Sequence, residues 1–326
     1  MKNGNKFLFL FDEKRMLIHS FLHSTILIFL VFITLLIARR YDSVASFLKT
    51  LDLIFKSTSI YYPITIGVAI VISCGEIDLS ISGGFAFYSM LLLFLSNFKW
   101  DPIIVYSIVL FFSLLIGFLM GFLIIRLRVP SLIVTLGGSY VLYGIAFLIN
   151  FILINGGKSF SLEKKYLIPM FQCSWLWALL LIIFLFFIKY FTLHWNQHLS
   201  TGIDNNAAQL AALPVFRVKI FAYIMSSILC FLSSILMFIG FNNGGWDIGT
   251  GKGIELIAIA TAVIGGTRIS GGKLNPINVG LAAALWQSFK YLSDINQDVK
   301  PQTQELALGL FLIIVAVFSS KNFMNK

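Results

Sequence analysis

The sequence specifies an all-α integral membrane protein with about ten transmembrane helices. Two compositional facts point there: 58% of its 326 residues are hydrophobic, and only 12% are charged. Soluble domains carry about 25% charged residues, so this chain cannot cover a water-facing surface of its size. The third observation is the length of its apolar runs. A helix rises 1.5 Å per residue, so about 20 apolar residues cross the hydrocarbon. No stretch is polar enough to form a separate soluble domain, which leaves one transmembrane domain over residues 1–326.

The first run, residues 17–37, follows Lys2, Lys6, Lys14 and Arg15 and ends in Ala38-Arg39-Arg40. A signal-peptide core is shorter, about 7–15 residues, and ends in small residues. This run is expected to be a retained first span. Further clear runs cover 103–125, 175–191, 220–241 and 306–318, and less clean ones 53–74, 84–95, 132–154, 255–266 and 276–292. The runs 84–95 and 255–266 are too short to span as unbroken helices. Both adjoin glycine-rich stretches, so discontinuous or short segments are expected near residues 75–84 and 249–273. An even number of spans puts both termini on one side. The small excess of Lys and Arg on that side makes it cytoplasmic, although Arg39-Arg40 opposes the assignment. The hydrophilic break 155–173 is then external, and 194–219 is a cytoplasmic loop.

The formal net charge of +10 does not indicate nucleic acid, because the basic residues are scattered between apolar runs and form no stripe. A modest positive excess suits a chain beside anionic lipid headgroups. Cys74, Cys173 and Cys230 form no CxxC pair, and an odd count argues against a disulfide framework. They are expected to be inert.

Four segments carry information. In Ser73-Cys74-Gly75-Glu76-Ile77-Asp78-Leu79-Ser80-Ile81-Ser82-Gly83-Gly84, two carboxylates and three glycines interrupt an apolar region. Irregular backbone at membrane depth persists only where protein or a cavity surrounds it. Asp78 and Ser80 either cap the next helix or, with Ser82, line a path through the membrane. In the second segment Pro130 favours a helix start and Gly137-Gly138 permits close helix approach. Thr135 packs there or faces a polar cavity. The third segment, 204–214, reads as a helix of about two turns, capped by Asp204, Asn205 or Asn206 and ended by Pro214. Its positions Ala207, Leu210 and Ala211 share a stripe that suits either the membrane surface or a partner's groove. In the fourth, Gly251-Lys252 and Gly272-Lys273 suggest phosphate binding. The spacing excludes it: a P-loop needs an earlier glycine where Trp246 and Thr267 stand, and Ser or Thr after the lysine. Tight turns between discontinuous helices fit better.

His19 and His23, four residues apart, have no acidic or Cys ligand nearby and fit interhelical hydrogen bonding. Glu255, Lys290 and Glu305 are ionisable groups near or within spans. No Ser, Cys or Asp brackets a histidine in a catalytic pattern, so no catalytic, cofactor-binding or metal-binding residue is expected.

Taken in order, these segments resemble the permease subunits of bacterial sugar-importing ABC transporters, in the branch of ribose, related monosaccharide and autoinducer-2 permeases. The family's GGIDLSVGS-like segment corresponds to residues 74–82, and its P-x-x-x-x-T-L-G-like segment to 130–137. Its G-N-x-x-A-A-x-x-x-G-I-like loop corresponds to 205–213, followed by Val215, Arg217, Val218 and Lys219. Its G-T-G-x-E-L-x-A-I-A-A-x-V-I-G-G-T-x-x-x-G-G segment matches 251–272 closely. The resemblance covers roughly residues 55–318. Glu76, Pro214, Arg268 and Ser270 depart from the family pattern.

The resemblance implies that two permease subunits, identical or paired with a close relative, form a translocation pathway. It also implies a separate ABC ATPase pair that hydrolyses ATP and an extracytoplasmic sugar-binding protein, all at a bacterial inner membrane. Asn205, Ala207, Ala208, Leu210, Ala211 and Leu213 would form the coupling contact with the ATPase. Asp78, Ser80, Ser82, Thr135 and Thr267 are the candidates for lining the pathway. The competing readings are a branched-chain amino acid ABC permease and an ion-coupled secondary transporter.

Overall fold

The computed structural model of the protein describes residues 44–155, 166, 173–241 and 251–295, with 24–26, 28, 306, 309, 310 and 313 besides. Among the described residues the regular elements are all helical: α1 (Val44–Ser73), α2 (Ile81–Ser96), α3 (Pro102–Leu127), α4 (Ser131–Asn155), α5 (Ser174–Phe191), α6 (Leu193–Ile203), α7 (Asn205–Leu210), α8 (Val215–Ile235), α9 (Ile254–Ile264) and α10 (Pro276–Ile295). A π-helical segment, Leu236–Phe241, continues α8.

Five of these, α1, α3, α4, α5 and α8, are long and apolar enough to cross a bilayer. Helices α2 and α9 are apolar but shorter, as the interrupted runs anticipate. Helix α10 has the length, but Asn278, Gln287, Lys290 and Asp294 dilute its apolar character. The expected first and last spans, together with His19, His23, Gly249, Thr250 and Glu305, lie outside the described residues apart from isolated positions.

Local chemistry sets the helix ends. Asp101 accepts a hydrogen bond from the Ile103 amide at 2.8 Å and Pro102 occupies the first turn of α3, a favoured start. The chain leaves α3 at Arg128, whose φ of 56° is left-handed. Pro130 offers its carbonyl to the Ile133 and Val134 amides and so opens α4.

Helices α1 and α8 are central: 72% and 67% of their apolar windows are buried, against 28%, 22% and 17% for α3, α4 and α5. The outer three turn residues such as Phe111, Phe118, Ile133, Phe184 and Phe187 outward, where lipid is the matching solvent. A Cβ on Gly117 of α3 would stand 2.7 Å from the Ile224 Cα, so glycine there lets α3 and α8 approach backbone to backbone. A polar chain ties three helices. Tyr88 of α2 donates to Ser227 of α8 at 2.6 Å, and Ser227 donates to the Ser113 carbonyl of α3 at 2.7 Å. Helix α10 runs antiparallel to α1: Tyr62 donates to the Pro276 carbonyl at 3.2 Å, while Thr50 meets Tyr291 at 3.0 Å.

Candidate functional site

Three irregular stretches meet at one end of the bundle: the break after α1, the connection from α9 to α10, and the α6–α7 cap. Sequence reading takes 194–219 as a loop with one short helix. The structure instead folds residues 193–203 into α6, an amphipathic helix that buries Trp195, His198, Thr201 and Gly202. The inward residues are mostly polar or lack a side chain, so hydropathy does not reveal them.

His198 is the first tie. Its Nε2 lies 2.9 Å from the Ile70 carbonyl oxygen and 2.7 Å from the Ser73 hydroxyl. Ser73 sends its own hydrogen to Ile70 at 2.8 Å. The proton therefore sits on Nε2, and Nδ1 accepts the thiol hydrogen of Cys74 across 3.2 Å. Cys74 is thus a buried hydrogen-bonding group as well as an apolar filler.

Burial holds the His198 pKa down to about 4, against the ordinary 6.5. The folded value lies below the unfolded one, so unfolding takes up a proton between these pH values. Stability is constant in this respect above pH 6.5 and falls as pH is lowered through the window, by up to about 3 kcal/mol near pH 4. Thermal unfolding of the detergent-solubilised protein should therefore drop in midpoint from pH 6.5 to 4.5, and His198→Gln should flatten that drop. Equal slopes in the two proteins would refute the role.

The second tie is backbone against backbone. Gly75, Gly271 and Gly272 adopt left-handed φ values of 78°, 83° and 79°, which glycine takes without a Cβ penalty. The Gly272 amide donates to the Ser73 carbonyl at 2.8 Å. Gly202 lies directly over both groups, and Gly271 faces the Gly202 backbone. Both glycine breaks are thus pressed against α6.

The third tie is an ion pair. The Lys219 ammonium, at the start of α8, lies 2.6 Å from the Glu76 carboxylate, with the two side chains 5% and 18% exposed. Glu76, a departure from the family pattern, is neutralised by a residue that entered the sequence reading only as a family match and a loop charge. The other departures fall on surfaces: Arg268 and Ser270 are exposed. Pro214 does not end α7. The chain already turns at Ala212, whose φ is 56°, and Pro214 opens α8 by accepting from the Val218 amide at 3.0 Å.

Helix α7 spans six residues, about a turn and a half. Asp204 is its cap, accepting from the Asn206 and Ala207 amides at 2.8 and 3.1 Å. Asn205, Ala207, Leu210 and Ala211 are exposed, Leu213 is half-buried, and Ala208 faces inward. Leu210 is 90% exposed, so the apolar stripe points away from the protein's own core.

The expected pathway residues are all buried within this subunit. Asp78 accepts from the Ser80 amide at 3.0 Å, the Ser80 hydroxyl at 2.6 Å and the Ser226 hydroxyl at 2.7 Å. Ser226 lies about 16 Å along α8 from its start, at 1.5 Å per residue, so this carboxylate sits deep in the bundle. It anchors the start of α2 to α8. Ser80 occupies the N-cap position of α2 without a side-chain capping bond of its own. Ser82 meets Ser139 of α4 at 2.8 Å, and Gly83 rests on the Ser139 backbone. Thr135 donates to the Ser131 carbonyl at 2.8 Å. Of the Gly137-Gly138 pair, Gly138 meets the Met120 and Ser80 side chains, and Gly137 meets nothing within 4 Å among the described residues. Thr267 lies on the separate α9–α10 connection, and its buried hydroxyl has no hydrogen-bond partner among the described residues.

Comparison with known proteins accords with the motifs. The family described as branched-chain amino acid transport system / permease component matches residues 50–316. The Escherichia coli inner membrane ABC transporter permease protein YjfF is 28% identical over 264 residues, 77% of each chain. The xylose/arabinose import permease XylH of Sulfolobus acidocaldarius is 31% identical over 226 residues, 64% of this chain and 60% of that one. The Yersinia pseudotuberculosis autoinducer 2 import permease LsrC is 27% identical over 298 residues, 88% of this chain and 80% of that one. No solved structure matches. The resemblance to sugar and autoinducer-2 permeases is borne out. The matched stretch takes in both glycine breaks and the α6–α7 cap between them, and the chain belongs to this family of multi-pass membrane permease subunits of ABC transporters.

Proposed function

We propose that the chain is one half of the translocation pathway of an ABC importer for a monosaccharide. In this reading it spans the bacterial inner membrane about ten times with cytoplasmic termini and pairs with a second permease subunit. An extracytoplasmic sugar-binding protein delivers the solute. An ABC ATPase on a separate chain binds and hydrolyses ATP, and this chain needs no cofactor. The ATPase contact is the exposed face of α7, formed by Asn205, Ala207, Leu210 and Ala211.

The observation that carries the reading is the tie of the cap to both breaks through His198 and Gly202, beside the Glu76–Lys219 pair that joins the first break to α8. A push on α7 has a direct mechanical route to the start of α2 and to the α9–α10 connection, where the helices are interrupted. The sugar class rests on relatives named for arabinose, xylose/arabinose and autoinducer 2. A branched-chain amino acid substrate has only the family description behind it, and none of these relatives is named for one. An ion-coupled carrier would need free carboxylates: Glu76 and Asp78 are engaged by Lys219 and by Ser80 and Ser226, and Glu255 keeps one buried carboxylate oxygen without a hydrogen-bond partner among the described residues.

Leu210→Glu with Ala211→Glu should leave the chain in the membrane, abolish copurification of the ATPase and reduce sugar uptake by at least about 30-fold, the scale of losing a 2 kcal/mol interface anchor. Unchanged uptake would refute the coupling role. Competition by leucine in place of sugar would favour the amino acid reading.

A further inference from the structure

On the half of the bundle remote from α7, a cavity of about 210 Å³ opens between the first half of α1, the π-helical segment and the end of α10. Its lining includes Ser57, Tyr61, Met237, Gln287, Lys290 and Tyr291. At about 30 Å³ per water, it holds the volume of roughly seven waters, enough for a pentose or hexose ring.

The lining is supplied with unused hydrogen-bonding capacity. Gln287 is 4% exposed, faces this cavity and has no hydrogen-bond partner among the described residues. Its carboxamide offers both donors and an acceptor to whatever fills the cavity. Ser57 sends its hydrogen to the Leu53 carbonyl at 2.9 Å, which leaves its oxygen free to accept. The Lys290 ammonium stands 5.9 Å from the Tyr61 ring centroid and has no carboxylate partner among the described residues. Its three donors suit hydroxyl oxygens, and sharing of its charge with the ring face lessens the demand for an anion. Tyr61 adds an apolar ring surface. The adjoining wall, at Met237, is π-helical, a local geometry frequent at functional sites.

We infer that this cavity, bounded by Ser57, Tyr61, Gln287 and Lys290, is a binding site for a neutral polyol of monosaccharide size. The inference rests on the transport reading and adds a location and a ligand chemistry to it.

The test is site-directed thiol protection in the full chain reconstituted in nanodiscs. Ser57→Cys is introduced with Cys173→Ser, which removes the exposed native thiol. The rate of modification by a small methanethiosulfonate is measured with and without neutral sugars (D-ribose, L-arabinose, D-xylose, D-glucose and D-galactose) and with D-gluconate. At least one neutral sugar should slow modification at least five-fold and saturably. Adding Gln287→Leu should remove that protection and leave the unprotected rate unchanged. Absence of protection by every neutral sugar, equal protection in the Gln287→Leu protein, or stronger protection by D-gluconate overturns the site. If protection fails while the ATPase still copurifies through α7, only this site is lost. If both fail, the transport reading falls with it.

Discussion

Gly202→Ala should destabilise the protein more than any other single methyl addition in the cap. The new Cβ would press on the Ser73 carbonyl and stand 2.7 Å from the Gly272 amide nitrogen. Both neighbours are backbone, so no flexible side chain can move aside. Overpacking typically costs about 1–3 kcal/mol, and two rigid neighbours place this case at or beyond the top of that range. Relief requires α6 to lift from both breaks, so uptake should fall together with stability. Gly144→Ala is the control, since a Cβ there meets nothing within 4 Å among the described residues and alanine favours the helix by up to about 1 kcal/mol. The measurement is the unfolding midpoint of each purified variant in one detergent. A Gly202→Ala protein that melts with the wild type would show that the cap does not bear on the breaks.

Lys219→Met should be comparably severe, for an electrostatic reason. Removing one partner of a buried ion pair costs about 3–5 kcal/mol, because the remaining charge stays desolvated. Glu76 retains some access to water, with 18% of its side chain exposed, which sets the expectation near the lower bound, about 3 kcal/mol. Adding Glu76→Gln to Lys219→Met should recover most of the loss, since a neutral amide needs no counter-charge. The double-mutant cycle in stability reads this coupling directly. Strictly additive losses would mean that the pair contributes nothing to joining the break to α8.

The sequence showed only one half of the ion pair in this region. Glu76 stood out as a foreign carboxylate, while its partner Lys219 lies 143 positions away and looks like any basic residue flanking a span. Gln287 and Gly202 attracted no attention, because a lone amide and a lone glycine have no spacing to recognise. Helix α6 was missed for a related reason. Trp195, His198 and Gly202 recur at helical spacing, but only the first is strongly apolar, so the periodic signal in hydropathy is weak. Helix ends were read better. The runs 132–154, 175–191 and 276–292 differ from α4, α5 and α10 by three residues or fewer at either end. Where α1 begins well before residue 53, the first turns carry Lys49, Asp52 and Lys56, with Lys56 paired to Asp52 at 2.7 Å. Charged turns of that kind continue a helix without contributing to an apolar run.

The sequence alone determined the solvent, the secondary-structure class, the two interruptions and the family, because each is written in local composition or in contiguous motifs. Tertiary structure alone decided which groups meet. It paired Glu76 with Lys219 and Asp78 with Ser226, pressed Gly202 onto both breaks and placed Gln287 before a cavity. The physical reason is range. Hydropathy and glycine turns act over a few neighbouring residues, whereas ion pairs, buried hydrogen bonds and backbone contacts depend on how α1, α6, α8 and α10 stack, and no local pattern encodes that stacking.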